Sequence, residues 1–292
     1  MSETPPGRNW PKKLCFNLVI LIAIIALAEF GSYLVFKRMA WRFTFNDPQV
    51  HLKTMEEIDS VRHLFDPDLG FDRLPDGRRL VKDYGTNGVS TYGDSYTEGD
   101  EIQDHETWQT YLSSKLQVNV LNYGLNGYGT DQAYLRFKKY HPGLKAEVAV
   151  LCLITENINR CLNVYRPFYA ATSGAFLPKP RFLLEDGVNV LLPNPLRTPA
   201  DLDRLMDPEF FAEMGKHDRW YNIDGKPQFA SPYLRLWGSR YIWTVLRSQR
   251  EGADLKQVNL RPWEVDTWND AEARAIMFNI FVDLLRTPRR WA

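Results

Sequence analysis

Residues 88–99 read GVSTYGDSYTEG, 118–129 read VNVLNYGLNGYG, and 148–154 read VAVLCLI. Each opens on a short apolar or β-branched run. The first two pass directly into glycine, and the third is followed by Thr155-Glu156-Asn157. The starts lie about 30 residues apart, the length of one βαβ unit. That rhythm predicts a doubly wound, mostly parallel α/β sheet. Between the runs, a helix is expected over about Glu106–Leu116, capped by Asp104, with Trp108, Leu112 and Leu116 on one face. A second is expected from Thr130 to Tyr140, with Thr130 as cap, Ala133, Tyr134 and Phe137 turned inward, and Pro142 as the stop. The unbroken apolar run 148–154 predicts a strand covered on both faces.

Outward from this centre the pattern weakens. Residues 41–87 look irregular and polar, with turn signals at Asp47-Pro48, Asp66-Pro67 and Pro75-Asp76-Gly77. Residues 160–265 are rich in proline and aromatics with little periodicity, and read as a long insertion or lid. A last helix is expected over Asp270–Arg286, with a capping-box-like start at Thr267 and Asp270 and an apolar stripe of Ile276, Ile280, Phe281, Leu284 and Leu285. The chain then closes on TPRRWA.

The N-terminus sets the compartment. Residues 14–36, LCFNLVILIAIIALAEFGSYLVF, are long enough to cross a bilayer. Arg8, Lys12 and Lys13 precede them, and Lys37, Arg38 and Arg42 follow, so charge asymmetry gives no orientation. A short basic N-terminus before one apolar segment predicts a single-pass anchor with the main domain extracytoplasmic. Glu29 counts against a plain span. Ala26-Leu27-Ala28 resembles a signal-peptidase site, so a cleaved signal peptide and a secreted domain is the rival reading.

Composition is that of a globular protein, with 44% hydrophobic and 25% charged residues. The 36 basic and 36 acidic side chains cancel, which removes any bulk attraction to nucleic acid. Cys15, Cys152 and Cys161 form no disulfide framework or CxxC pair and read as small apolar fillers. No Walker-type loop or zinc-ligand spacing occurs, and residues 124–129 do not keep GxGxxG spacing. No metal or cofactor is therefore expected.

In open parallel sheets, ligands bind at the carboxyl ends of the strands. The strand pattern thus predicts that Ser95, Gly127 and Asn157 converge. A serine hydroxyl just past a strand can attack a carbonyl carbon. The resulting oxyanion needs donors, which the Ser95 N–H, the Gly127 N–H and the Asn157 side-chain amide can supply. One such donor is typically worth about 2.7–4 kcal/mol in the transition state.

These residues carry a resemblance. Tyr92–Gly99, YGDSYTEG, resembles the first block of SGNH (GDSL-type) hydrolases. Asn122–Gln132, NYGLNGYGTDQ, is similar to the second, with Gly127 as its glycine. Glu156–Asn159, ENIN, stands where the third block is expected, with Asn157 matching the family asparagine. Thr155 replaces the usual glycine there, and Ile158 the usual aspartate. The resemblance implies an SGNH-like, flavodoxin-like three-layer domain over 88–292, preceded by an anchor (1–40) and an irregular extension (41–87). It implies a serine esterase acting on O-acyl esters, with an ester or glycan substrate. The family's DxxH, which supplies the general base, is absent. Of His51, His63, His105, His141 and His217, His105 and His141 read as cap or surface residues. His217 alone falls late enough to consider. Because the last helix feeds no following strand, the expectation is a chain cut before that block. Two other readings stay open: a polysaccharide O-acyltransferase, and an inactive SGNH-like carbohydrate-binding or assembly protein.

Two flanking clusters have competing readings. Glu98, Asp100, Glu101 and Asp104 read as a cation or sugar site, or as a solvated loop face. Arg160, Tyr165, Arg166, Phe168 and Tyr169 read as a carbohydrate groove, or as packing of the insertion.

Overall fold

The computed structural model of the chain describes residues 10–39, 52–73, 79–168, 174, 176–221, 231–238, 242–243 and 267–286. Asp47-Pro48, His51, Pro75 to Gly77, Tyr169 and the terminal TPRRWA lie outside the described residues.

Helix α1 is Trp10–Met39. Within it Lys13–Arg38 has a mean hydropathy of 2.4 and is almost wholly unburied, so it is long and apolar enough to span a membrane. Cys15 faces outward from α1 rather than filling a core; Cys152 is half-buried, and only Cys161 is buried.

The extension before the sheet is more ordered than its composition suggests. Helix α2 (Met55–Arg62) starts on a capping box in which Thr54 and Glu57 satisfy each other's backbone N–H groups. Strands β1 (Phe65–Asp66) and β2 (Gly70–Phe71) then form a small hairpin. Its turn is the one signalled by Asp66-Pro67: Asp66 Oδ1 accepts from the N–H of Asp68 and of Leu69.

The central sheet is parallel. Strand β3 (Asn87–Gly93) leads into the one-turn helix α3 (Ser95–Glu98), and helix α4 (Trp108–Leu116) follows. Strand β4 (Asn119–Gly124), helix α5 (Thr130–Leu144) and strand β5 (Val148–Leu151) complete it. The order is β4-β3-β5, so β3 is central. Alternate β3 residues meet different helices. Gln109 of α4 donates to Thr91 Oγ1, while Ser90 Oγ meets His141 Nδ1 of α5. Successive strand side chains point to opposite faces, so α4 and α5 cover opposite sides of the sheet.

Several boundaries differ from the sequence expectation. Asp104 opens a 3-10 turn (Asp104–Glu106), and Thr107 caps α4. The buried face of α4 is Gln109 and Ser113, with Trp108 and Leu116 exposed. Gln109 and Ser113 are drawn inward because they bond Thr97 O and the Val120 N–H. The cap of α5 is Gly129, whose N–H donates to Gln132 Oε1, so Thr130 is already helical. Pro142 does not stop α5: it can cost only one ladder bond in a last turn, and the helix ends at Lys145 in the left-handed conformation. The run 148–154 is not a doubly covered strand. Among the described residues β5 pairs on one side only, it ends at Leu151, and Val148 is 49% exposed.

Past the sheet come helix α6 (Asn157–Cys161), strands β6 (Arg181–Glu185) and β7 (Val188–Leu192) in an antiparallel hairpin, helix α7 (Pro208–Gly215) and helix α8 (Ala271–Arg286). Asp270 Oδ1 caps α8 through the Ala273 N–H. Its buried stripe is Ala273, Ile276, Met277 and Ile280; Leu285, expected in the stripe, is 85% exposed.

The described part of 160–265 packs as body rather than as a loose lid. Tyr165, Phe168, Phe210, Phe211 and Trp220 join Ile58, Leu69 and Phe71 in a core of their own. The sheet core lies between the sheet, α5, α6 and α8, with Tyr92, Leu121, Phe137 and Ile280 among its members.

Candidate active site

Because β3, β4 and β5 run parallel, the loops after them leave from one edge of the sheet. Ser95 is on the first, Gly127 on the second and Asn157 on the third. Side-chain contacts bind these loops together. Asn157 Nδ2 donates to Asp94 Oδ2 at 2.8 Å, and the Asn126 N–H donates to Glu98 Oε2 at 2.5 Å.

The turn around Ser95 follows from its neighbours. Asp94 Oδ1 accepts the Tyr96 N–H, the N-cap arrangement that starts α3, and Gly99 closes it at φ 72°. Gly124 allows α3 to lie against β4, since a Cβ there would collide with the backbone nitrogen of Glu98. Ser95 is half-buried, and its hydroxyl has no hydrogen bond to any described residue. It lines an open cavity of about 440 Å³ with Tyr96, Gly99, Asp100, Glu101, Ile102 and Asn126.

Gly127 has φ 90°, a left-handed backbone that suits glycine. It lines a second, much smaller recess with Arg160 and Arg166, and its carbonyl accepts from Arg166. Asn126, immediately before it, reaches the Ser95 cavity. Asn157 is 1% exposed. Its amide nitrogen carries two hydrogens, of which Asp94 takes one, and its Oδ1 has no partner among the described residues.

The acidic cluster after Ser95 is held by arginines. Arg73 pairs with Glu98 and Asp100, and Arg79 with Asp104. Arg79 also donates to the carbonyls of Glu98, Gly99 and Ile102. Burial pushes the Glu98 carboxyl up, against the pull of the Asn126 N–H and of Arg73. Among the described residues no group of His, Cys, Asp and Glu has the arrangement of a metal site.

The buried members of the Arg160 cluster are packing, while Arg166 lines an open cavity of about 390 Å³ with Arg73 and Asn126. Arg160 is buried, pairs with Glu156 and donates to Tyr128 O, while Tyr165 and Phe168 are core residues. Arg166 leans on Glu156 and Gly127 O.

Among the described histidines none hydrogen-bonds Ser95. His63 caps the end of α2, His105 sits exposed in the 3-10 turn, and His217 gives its backbone carbonyl to Arg181. His141, half-buried in the last turn of α5, meets Ser90 Oγ and packs on Phe137 at the rim of the sheet core, so it is neither a cap nor a fully exposed residue. Sequence reasoning gave Asp94 no role, although an aspartate followed by a serine-led turn is a legible N-cap signal. Arg73 and Arg79 carry no such local signal, because their partners lie about 25 residues away. Comparison with family models, with curated proteins and with solved structures finds no match for this chain.

Proposed function

We propose that the chain is a membrane-tethered serine ester hydrolase of the SGNH type, acting on O-acyl esters at an extracytoplasmic surface. Ser95 is the nucleophile in this reading, and the N–H groups of Ser95 and Gly127 with the free hydrogen of Asn157 Nδ2 are the oxyanion donors. One observation carries it. A half-exposed serine with an uncommitted hydroxyl follows the central strand of a parallel sheet, faces a cavity, and is tied through Asp94 to a buried asparagine from the neighbouring loop.

The chemistry divides accordingly. Ser95 Oγ attacks the acyl carbon and loses its proton to a base, the ester alkoxide leaves with a proton, and water then releases the acyl group. Asp94 stays a positioning residue, since both its oxygens already accept hydrogen bonds. The base comes from outside the described partners of Ser95.

The test is turnover of an acetyl ester by the full chain and by Ser95→Ala. The expected result is a loss of at least about 10³-fold in kcat, the scale of a removed nucleophile, with unchanged thermal unfolding. Equal rates would remove Ser95 from the chemistry. Transfer of the acyl group to a glycan in place of water would redirect the reading to acyltransfer.

A further inference from the structure

The second half of α1 is not bare like the first. Glu29, Ser32, Tyr33 and Phe36 are spaced as one helix face, and all four meet the 3-10 turn Tyr233–Gly238. Glu29 accepts from the N–H of Tyr233 (2.6 Å), the N–H of Leu234 (2.9 Å) and Ser231 Oγ (3.0 Å). Trp237 Nε1 donates to Ser32 Oγ, and the Trp237 ring packs on Phe36. Tyr33 and Tyr233 meet edge to face. A carboxylate inside an apolar span is costly when unpaired. Three donors offset that cost here.

Those contacts fix the level of the turn along α1. From Leu14 to Tyr33 is about 20 residues, or roughly 30 Å of helix, the thickness of a bilayer's hydrocarbon layer. With Leu14 set at one boundary of that layer, Glu29 lies about 6 Å inside the other. Whatever binds Glu29 shares that level. The turn also leaves apolar surface uncovered: Leu234 is 37% exposed and Trp243, whose Nε1 donates to Trp237 O, is 56% exposed. Tryptophan and tyrosine favour this boundary layer, and Lys37, Arg38 and Arg235 suit the headgroups just above it.

We infer that the Tyr233–Gly238 turn and Trp243 form a second membrane contact, a wedge seated in the lipid interface and latched to the spanning helix by Glu29. The occupant of the exposed Leu234 and Trp243 surface is the bilayer that α1 itself crosses, because the patch adjoins that helix: the Leu234 N–H donates to Glu29, and Trp243 packs on Trp237, which packs on Phe36. The inference rests on α1 being a span. It holds the catalytic body close to the membrane and would restrict substrates to esters within reach of the lipid surface.

The test uses the full chain in phosphatidylcholine–phosphatidylglycerol nanodiscs, with Cys15 and Cys152 replaced by serine. Single nitroxides are placed by Leu234→Cys, Trp243→Cys, Ile22→Cys on α1 and Val188→Cys on the exposed hairpin. Collision rates with oxygen, which partitions into lipid, and with a nickel chelate, which stays in water, are compared. The expected oxygen-to-nickel ratio at 234 and 243 is about tenfold that at 188 and approaches that at 22. Adding Glu29→Ala should return the 234 label toward the value at 188 and leave the 22 label unmoved. A water-like label at 234 and 243 with a lipid-like label at 22 overturns the wedge alone. Labels shielded from both reagents mean a protein covers the patch, and overturn it too. A water-like label at 22 overturns the span, and the wedge with it.

Discussion

The two cores of this protein are built on different principles. The sheet core, around Tyr92, Leu121, Phe137, Ile276 and Ile280, lies between regular elements whose backbone groups are already paired. The second core, around Ile58, Phe71, Tyr165, Phe211 and Trp220, is assembled largely from turns and loop segments. Buried backbone there must find partners among side chains. Asp218 alone serves four backbone N–H groups at one point. Its Oδ2 accepts from Asn163 Nδ2 and from the N–H of Val164 and Tyr165, and its Oδ1 from the N–H of Trp220 and Tyr221. Arg181 answers it by donating to the carbonyls of Leu162 and His217. Apolar burial suffices where the chain is regular; where it is not, a buried charge organises the backbone.

The contrast breaks most directly at Asp218. Asp218→Ala strands several buried N–H groups together, and the expected loss is about 3–5 kcal/mol of unfolding free energy in detergent-solubilised protein. Ile280→Ala in the sheet core removes burial without stranding a polar group, for an expected loss of about 2–4 kcal/mol. Urea unfolding followed by near-ultraviolet circular dichroism measures both. If Ile280→Ala proves the costlier, the second core is held by its aromatic side chains and the polar anchor is incidental.

The same contrast explains what could be read from the chain. Strands β3 and β4 and the inward face of α5 were legible because Val89, Leu121, Tyr134 and Phe137 obey strand and helix periods. The edge of the sheet on which Ser95, Gly127 and Asn157 sit followed from that periodicity alone. The inward face of α4 was hidden, because Gln109 and Ser113 are buried for their hydrogen bonds and not for apolarity. The second core was hidden because Phe210, Phe211 and Trp220 sit at no period, and Asp218 looks like an ordinary surface aspartate. Glu29 was read as an argument against a span. Its donors stand more than 200 residues further on, beyond any local pattern.

The mildest probe of the comparison is pH, acting on the sheet core through His141. Its ring meets Ser90 Oγ at 3.0 Å and packs on Phe137, and burial holds its pKa below the ordinary histidine value. The folded chain therefore binds this proton more weakly than the unfolded chain does. Stability from this group is complete at neutral pH, begins to fall below about pH 6.5, where the unfolded histidine titrates, and is spent once pH passes the folded value. Carboxylates titrate over the lower part of the same range, so the readout is a difference between proteins. His141→Gln keeps a hydrogen-bonding group for Ser90 and removes the titration. The drop in thermal midpoint between pH 7 and pH 5 should be smaller in that variant than in the parent, while Asp218→Ala keeps the parent's His141 contribution. A larger drop in His141→Gln would mean that the fold prefers the imidazolium, and that the ring faces an acidic or open environment instead of the aromatic layer between β3 and α5.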